Sequence, residues 1–493
     1  MTESLKQKAI AGTKWKTSLN IGRYLMSFAL SIILARLLEV REFGLIGMVA
    51  ILSVIAQIFI DSGLSQAVIR QKEIGEKDYD TVFYFNIAIS GLFYILFFFT
   101  APLVAQFYNE PILIPVTRWI TLVFLINSFG TIQNSILVRE IKFKQQALCN
   151  FAGLGVSVII AAIMALKGFG VYSIVAQALS QALITNSLFW ITSDWRPKHR
   201  FSTESFKKLW AFASNILATN IVVRIIENID KVLIAKVFSA TQLGYYVKAR
   251  SSTDANQIIF TETLNATSFA VMVKGNRSKE ELKRYHMLFF TVGTYVFVPI
   301  VFGFMAIAEA FIVVLYSAKW LPSVPIAQII ALIGISYFLD ALFLQTVMVE
   351  GKGRLYFWLK SGKKLLTLLS IPVGVFMGFY PFIWSLVVIN FVGLILNFIF
   401  VGKMLNIPWY MYLKFLFKPF LLGGIMGGLV YLISLLPMAH YSITLVLQLF
   451  AGFVIYITLS KIFKIKEYFY VKDIVIEQTT KIKFIQRIIR KIL

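Results

Sequence analysis

Long apolar runs, broken only by short charged segments, constrain this chain more than any other feature. A helix needs about 20 apolar residues to cross a bilayer. Runs of that kind fall near 17–38, 44–66, 81–105, 115–137, 147–167, 169–192, 212–237, 243–266, 287–316, 323–349, 356–378, 381–402, 413–436 and 441–461. In hydrocarbon every backbone N–H and C=O must find its partner inside the protein, so such runs are helices or closed barrels. These runs are continuous rather than alternating, which excludes a barrel. The expected fold is an all-α polytopic membrane protein of about fourteen spans. Composition agrees: 58% of 493 residues are hydrophobic and 45 are Phe, more than a water-soluble core of this size could bury. The runs at 44–66 and 243–266 are polar for lipid and are expected to pack inside the bundle.

The net charge of +24 would suggest nucleic acid on a soluble protein. Here the cations sit in the short segments between runs, as the positive-inside rule describes, and nucleic acid is excluded as a partner. Lys6, Lys8, Lys14 and Lys16 precede the first span, and Arg70, Lys72 and Lys77 fill the second loop. Arg139, Lys142 and Lys144 follow in the fourth loop, and Arg196, Lys198, Arg200, Lys207 and Lys208 in the sixth. The eighth holds Lys274, Arg277, Lys279, Lys283 and Arg284, and the tenth Lys352, Arg354, Lys360, Lys363 and Lys364. The odd-numbered loops hold few, which places both termini in the cytoplasm. The first residues have no short apolar core with a cleavage site, so no removable signal is expected. Cys149 is the sole cysteine, and no internal disulfide can form. In the tail, Ile482, Ile485 and Ile489 share a helical face among basic residues. It reads as an amphipathic helix on the inner leaflet, drawn to membrane lipids, or as a frayed positive tail.

A repeat runs at an offset of 200. LARLLEVREFG at 34–44 aligns with IAKVFSATQLG at 234–244, and Asn20, Ile21, Gln57 and Leu64 align with Asn220, Ile221, Gln257 and Leu264. The charge topology repeats with it. Two six-span lobes in parallel orientation are expected at 1–200 and 201–405, with two further spans at 406–463 and a basic tail at 464–493. Parallel repeats place a substrate path between their lobes.

Within 220–231, NIVVRIIENIDK, four ionisable residues interrupt an apolar run. Each costs about 2.5 kcal/mol or more near the bilayer centre, so such groups face a cavity, a partner charge or both. Asn220, Arg224, Glu227 and Lys231 follow one helical face with Asp230 beside it; Arg250, Asp254, Gln257 and Thr261 repeat the spacing in the next span, with Lys248 near its outer end. In the first half, Asn20, Arg23, Ser27 and Ser31 share one face, and Ser53, Gln57 and Asp61 another. Arg224–Glu227 and Arg250–Asp254 could instead be internal ion pairs. Taken as a set, the residues point to a hydrated cationic cavity for an anionic, phosphate-bearing substrate, because arginine keeps its charge and matches phosphate oxygens bidentately. Arg23, Arg224, Arg250, Lys231 and Lys248 with Asn20, Asn220, Gln57 and Gln257 are the substrate-binding candidates. Glu227, Asp230, Asp254 and Asp61 are candidates for coupling to H+ or Na+, between which the residues do not choose.

No GxxxxGK[ST], HExxH or GxSxG is present, and the three histidines are far apart. No enzyme, metal site or cofactor is expected.

RLLEVREFGLIGMV, DSGLSQAVIRQKEIGEKDYDTVFYFN, APLVAQFYNEP and VREIKF together resemble the polysaccharide-transporter branch of the MOP flippase superfamily, in particular its Wzx-type and teichuronic-acid-type exporters. The resemblance implies two six-helix bundles around a V-shaped central cavity, as in MATE transporters. It further implies movement of an undecaprenyl-diphosphate-linked oligosaccharide, a repeat unit of lipopolysaccharide O-antigen, capsule or exopolysaccharide, across the bacterial inner membrane by alternating access. Its partners would be the lipid-linked oligosaccharide and the pathway's polymerase and chain-length machinery. The alternative is a MATE-type antiporter of small cations, which would favour an acidic or aromatic cavity over a basic one.

Overall fold

The computed structural model describes residues 22–61, 64–71, 74–210, 213–214, 217, 224, 228–275, 278–436 and 440–479. Among the described residues every regular element is helical. Among the described residues nine helices are long and apolar enough to cross a membrane: Glu76–Tyr108 (α4), Leu113–Arg139 (α5), Phe143–Leu166 (α6), Val171–Thr192 (α7), Lys279–Tyr316 (α11), Ser323–Val349 (α12), Phe379–Leu405 (α16), Trp409–Ser434 (α17) and Tyr441–Ile462 (α18). Each coincides with an expected span. The other five expected spans fall on segments partly outside the described residues, on the polar helix α10 (Ala240–Gly275), or on a broken helix. The chain divides into two compact units, Met1–Gly244 and Tyr245–Leu493.

The first unit begins with a helix over 22–37 (α1), followed by α2 (Val40–Asp61) and the short α3 (Leu64–Arg70). Helices α4 and α5 pair, as do α6 and α7, and α5 also packs on α7. Arg139, counted among loop cations by sequence, donates to the carbonyls of Val68 (2.6 Å) and Gln71 (2.8 Å). It thereby satisfies carbonyls that the end of α3 leaves open. The basic stretch after α7 is also docked rather than loose. Backbone N–H groups of Lys198 and His199 donate to Asp80 Oδ2 (3.3 and 2.7 Å), and Lys198 Nζ pairs with Glu76 (3.2 Å). A helix begins at 203 (α8) and is described to 210, with 213, 214, 217 and 224 helical as well.

The expected span 212–237 is not one continuous helix. A turn at Asn228 (φ −118°, ψ 5°) precedes α9 (Ile229–Val237). The turn cuts the register that would have aligned Arg224 with Lys231. Asn228 compensates locally, with its amide donating to the Arg224 carbonyl at 2.9 Å and its carbonyl oxygen accepting from Lys231 Nζ at 2.8 Å. Polar side chains near a helix end can satisfy backbone groups that the break exposes.

Two helix starts stand 200 residues apart, α2 at Val40 and α10 at Ala240, and they meet within the first unit. A Cβ built on Gly44 would collide with the Ala240 carbonyl, and one on Gly244 with the Val40 carbonyl. The contact is reciprocal, and only glycine lets the two backbones approach so closely.

The second unit centres on α11 and α12. Helix α11 packs on α12, α17 and α18, and α12 packs on α16. Helix α19 (Lys466–Thr479) lies against α11 and α18. Between α12 and α16 runs a helix interrupted twice. Gly353–Phe357 (α13) passes through a π turn at Trp358–Gly362, then Lys363–Leu366 (α14), a 3₁₀ turn at Thr367–Leu369 and Ser370–Met377 (α15). Gly378 (φ +98°) ends it. An aromatic cluster of Phe290, Phe343, Phe398 and Tyr412 holds α11, α12, α16 and α17 together, with ring centroids 5.0–6.1 Å apart. His286 lies two turns from the start of α11. It is buried, bonded to Thr346 Oγ1 (2.8 Å) and the Tyr412 hydroxyl (3.2 Å).

Gly44→Val and Gly244→Val should each lower the midpoint of thermal unfolding in detergent and the folded yield. Overpacking of a close backbone contact costs about 1–3 kcal/mol, and because the contact is reciprocal the two penalties should be alike. Scanning fluorimetry of the two variants beside Gly91→Val, which meets nothing within 4 Å, measures it.

Candidate functional site

Among the described residues, a cluster of ionisable side chains inside apolar helices lies in the second unit. Asp340 is the sole formally charged residue of α12. Its carboxylate oxygen Oδ1 accepts from Lys363 Nζ at 2.8 Å and from the Asn397 amide at 2.5 Å. Lys363 Nζ also donates to Asn397 Oδ1 at 3.0 Å, which closes a triangle. Three elements supply it: α12, the first turn after the π segment, and α16. Asn397 is fully buried, and Gly393 one turn before it makes room for the lysine stem, since a Cβ there would stand 3.2 Å from Lys363 Cδ. Charge-assisted bonds of this kind are strong, and removing one partner of such a pair strands the other charge.

The network continues from Tyr337, one turn before Asp340. Its hydroxyl meets Arg250 Nη2 at 2.6 Å, and the guanidinium carbon stands 5.5 Å from the ring centroid. Lys364 Nζ lies 5.8 Å from the same centroid. Arg250 Nε pairs with Asp254 Oδ1 at 3.3 Å, one turn along α10. Tyr337 thus joins Arg250 of α10 and Lys364 of the broken helix, a geometry suited to cation–π contact, one turn along α12 from the Asp340–Lys363 pair.

Of the sequence candidates, the structure brings Arg250 and Asp254 together. Lys248 stands apart. It is 2% exposed, with its ammonium 3.8 Å from the Tyr316 ring centroid and 5.6 Å from that of Trp320, while Ser252 bonds the Tyr316 hydroxyl. In the first unit Arg23 and Arg224 are exposed, Arg23 with its guanidinium carbon 5.6 Å from the Tyr24 ring centroid. Lys231 is tied to Asn228, and Asp230 Oδ1 accepts from the Lys231 N–H at 2.8 Å. Asn20, Asn220 and Glu227 lie outside the described residues, and Gln57, Asp61 and Gln257 are described by their backbone only.

Asp340, Lys363, Tyr337 and Asn397 were not among the candidates. The signal was present: Asp340 is a lone carboxylate inside an expected span. Lys363 and Lys364 lie inside the expected span 356–378, yet sequence reasoning assigned them to the tenth loop. The structure corrects that assignment for Lys363, whose side chain is 11% exposed.

Residues 33–325 match the family model described as polysaccharide biosynthesis protein. The chain belongs to that family. Within it, the chain is a polysaccharide transporter of the MOP flippase superfamily. It is 24% identical over 449 residues to the teichuronic acid biosynthesis protein TuaB of Bacillus subtilis (strain 168), covering 89% of this chain and 91% of TuaB. It is 25% identical over 381 residues to the succinoglycan biosynthesis transport protein ExoT of Rhizobium meliloti (strain 1021), covering 77% of each. Among solved structures, the lipid II flippase MurJ in an inward closed conformation shares the fold, with a TM-score of 0.74 at 15% identity over 91% of this chain and 98% of MurJ. The transporter is a multi-pass membrane protein, as its nine apolar helices and its relatives agree.

Lys363→Met in this transporter should cost about 3–5 kcal/mol, because it leaves the Asp340 carboxylate without its cation. Asp340→Asn combined with Lys363→Met should recover most of that loss. Thermal midpoints of the two single variants and the double variant, measured in one detergent at pH 7 without sodium, check the coupling.

Proposed function

We propose that the transporter flips an undecaprenyl-diphosphate-linked oligosaccharide, a repeat unit of a bacterial surface or secreted polysaccharide, across the inner membrane by alternating access driven by an ion gradient. The observation that carries this reading is the pair of cations Arg250 and Lys364 that meet the Tyr337 ring inside the helices of a polysaccharide-family chain. Cations held in low dielectric favour a diphosphate headgroup, and arginine in particular matches phosphate oxygens bidentately. An antiporter of organic cations calls for the opposite charge balance. The names of TuaB and ExoT, a teichuronic acid biosynthesis protein and a succinoglycan transport protein, support a glycan cargo.

In this reading the lobes are two six-span repeats, 1–200 and 201–405, with spans 13 and 14 at 406–463, a basic tail at 464–493, and both termini in the cytoplasm. The offset of 200 is supported by helix boundaries as well as by residues. Helix α1 runs to 37 and α9 to Val237, while α2 and α10 start at Val40 and Ala240. The reciprocal Gly44 and Gly244 contacts fit a two-fold relation between the repeats. Arg23 and Arg224 are the proposed headgroup contacts of the two halves, and Arg250 is the third. The cargo is handed on to the polymerase and chain-length machinery of the same pathway.

Reconstitution tests it. Purified protein in liposomes, given fluorescent undecaprenyl-diphosphate-linked oligosaccharide under an imposed ion gradient, should make the probe accessible in the opposite leaflet. Arg250→Ala and Arg224→Ala should each slow this by about tenfold or more, the loss of one charge-assisted contact. A well-folded wild type that moves no such probe under any gradient overturns the reading.

A further inference from the structure

The triangle of Asp340, Lys363 and Asn397 is a cation site that already contains its cation. Asp340 Oδ1 and Asn397 Oδ1 are oxygens of the kind that bind Na+, yet both accept from the Lys363 ammonium, at 2.8 and 3.0 Å. The Asn397 amide N–H points at the same Asp340 oxygen. A metal ion approaching that oxygen would meet an ammonium and an N–H donor. A proton needs no such space, since it attaches to the carboxylate itself.

The surroundings give the protonation a mechanical consequence. Lys363 is the first residue after the π turn Trp358–Gly362, and such turns leave backbone hydrogen bonds irregular and are frequent at functional sites. The ion pair ties this weak point of the broken helix to α12 and α16. Among the described residues, Lys364 is the further charged group that acts on the pair, and other titratable groups stand near it on the neighbouring helices. Lys364 adjoins Lys363 and approaches the Tyr337 ring; Tyr337 precedes Asp340 by one turn and bonds Arg250, which pairs with Asp254 on α10. On α11 the buried His286 lies toward Thr346 of α12 and is engaged by it and by Tyr412. Asn397 is the polar contribution of α16.

We propose that Asp340 is the proton-coupling carboxylate of this transporter and that Lys363 is its resident counter-cation, so that the coupled ion is H+ rather than Na+. The proton identity rests on the ion-driven flippase reading above. In the step, hydronium gives its proton to the Asp340 carboxylate, leaving a carboxylic acid and water. The acid no longer holds the ammonium by charge, and the tether of the broken helix to α12 is released. Loss of the proton restores it.

Two measurements on the full-length protein in liposomes test this. The first is infrared titration of the protein alone. Wild type should show a carboxylic acid C=O band that appears on acidification and is missing in Asp340→Asn. A band unchanged in Asp340→Asn overturns the proposal whatever the protein transports. The second is flipping of fluorescent undecaprenyl-diphosphate-linked N-acetylglucosamine. A pH gradient should bias its distribution in wild type by up to about tenfold per pH unit for one coupled proton, and a Na+ gradient of equal size should not; Asp340→Asn should lose the pH bias. Bias by Na+ and not by pH overturns the proposal. A wild type that moves no probe but shows the Asp340 band defeats the flippase reading while leaving the proton site standing. A third variant guards against misfolding of Asp340→Asn. Lys363→Met, with the ammonium gone, should become stabilised by NaCl but not by choline chloride, a response that wild type lacks. Absence of that sodium response in folded Lys363→Met overturns the claim that the ammonium fills a cation site.

Discussion

A chain in hydrocarbon must close every backbone hydrogen bond within itself, and the rest of this structure follows from that demand. It forces helices wherever the sequence is apolar for about 20 residues. It also makes each departure from a regular helix expensive, so departures need a compensating group. At Asn228 the compensation is a side-chain amide that reaches the Arg224 carbonyl. At the end of α3 it is the Arg139 guanidinium on two carbonyls. Beside the π turn it is a charge pair that anchors the weakened segment to two neighbours. The irregular places and the polar places coincide for this physical reason.

Hydropathy made the nine long helices legible, because a span is a local property that a window of residues carries entire. The runs around 44–66 and 243–266 were legible as helical for the same reason, and α2 and α10 fall on them. What did not show was the break at Asn228. NIVVRIIENIDKVLIAKV has no Gly or Pro to mark a turn, and its spacing fits one helical face. The site split along the same line. Arg250–Asp254 is an i, i+4 pair, visible from spacing alone. Asp340, Lys363 and Asn397 are joined only by tertiary packing, 23 and 34 residues apart, and no periodicity connects them. Lys363 was hidden further by its neighbours, since a lysine beside Lys360 and Lys364 reads as part of a basic loop.

Two close backbone contacts in this chain stand 200 residues apart. Gly44 and Gly244 each lie four residues after a helix start, α2 at Val40 and α10 at Ala240. Each meets the backbone of the other's helix start, at Ala240 and Val40. A contact between two backbones this close leaves no room for a side chain at either glycine.

The two units use polarity differently inside their helices. In the first, amides face amides: Asn127 accepts from Asn186 at 3.0 Å and Asn134 from Gln146 at 2.8 Å. Such pairs hold helices together at every pH, because neither partner titrates. In the second, the corresponding task falls to Asp340 and Lys363, whose attraction depends on both being charged. A proton on the carboxylate removes most of that attraction while leaving hydrogen bonds of ordinary strength. An amide pair at this place would fix the broken helix permanently, and two apolar residues would fix it through packing. A carboxylate and an ammonium hold it firmly in one protonation state and loosely in the other. Under the proton coupling proposed above, that difference is what frees one helix in one protonation state and holds it in the other.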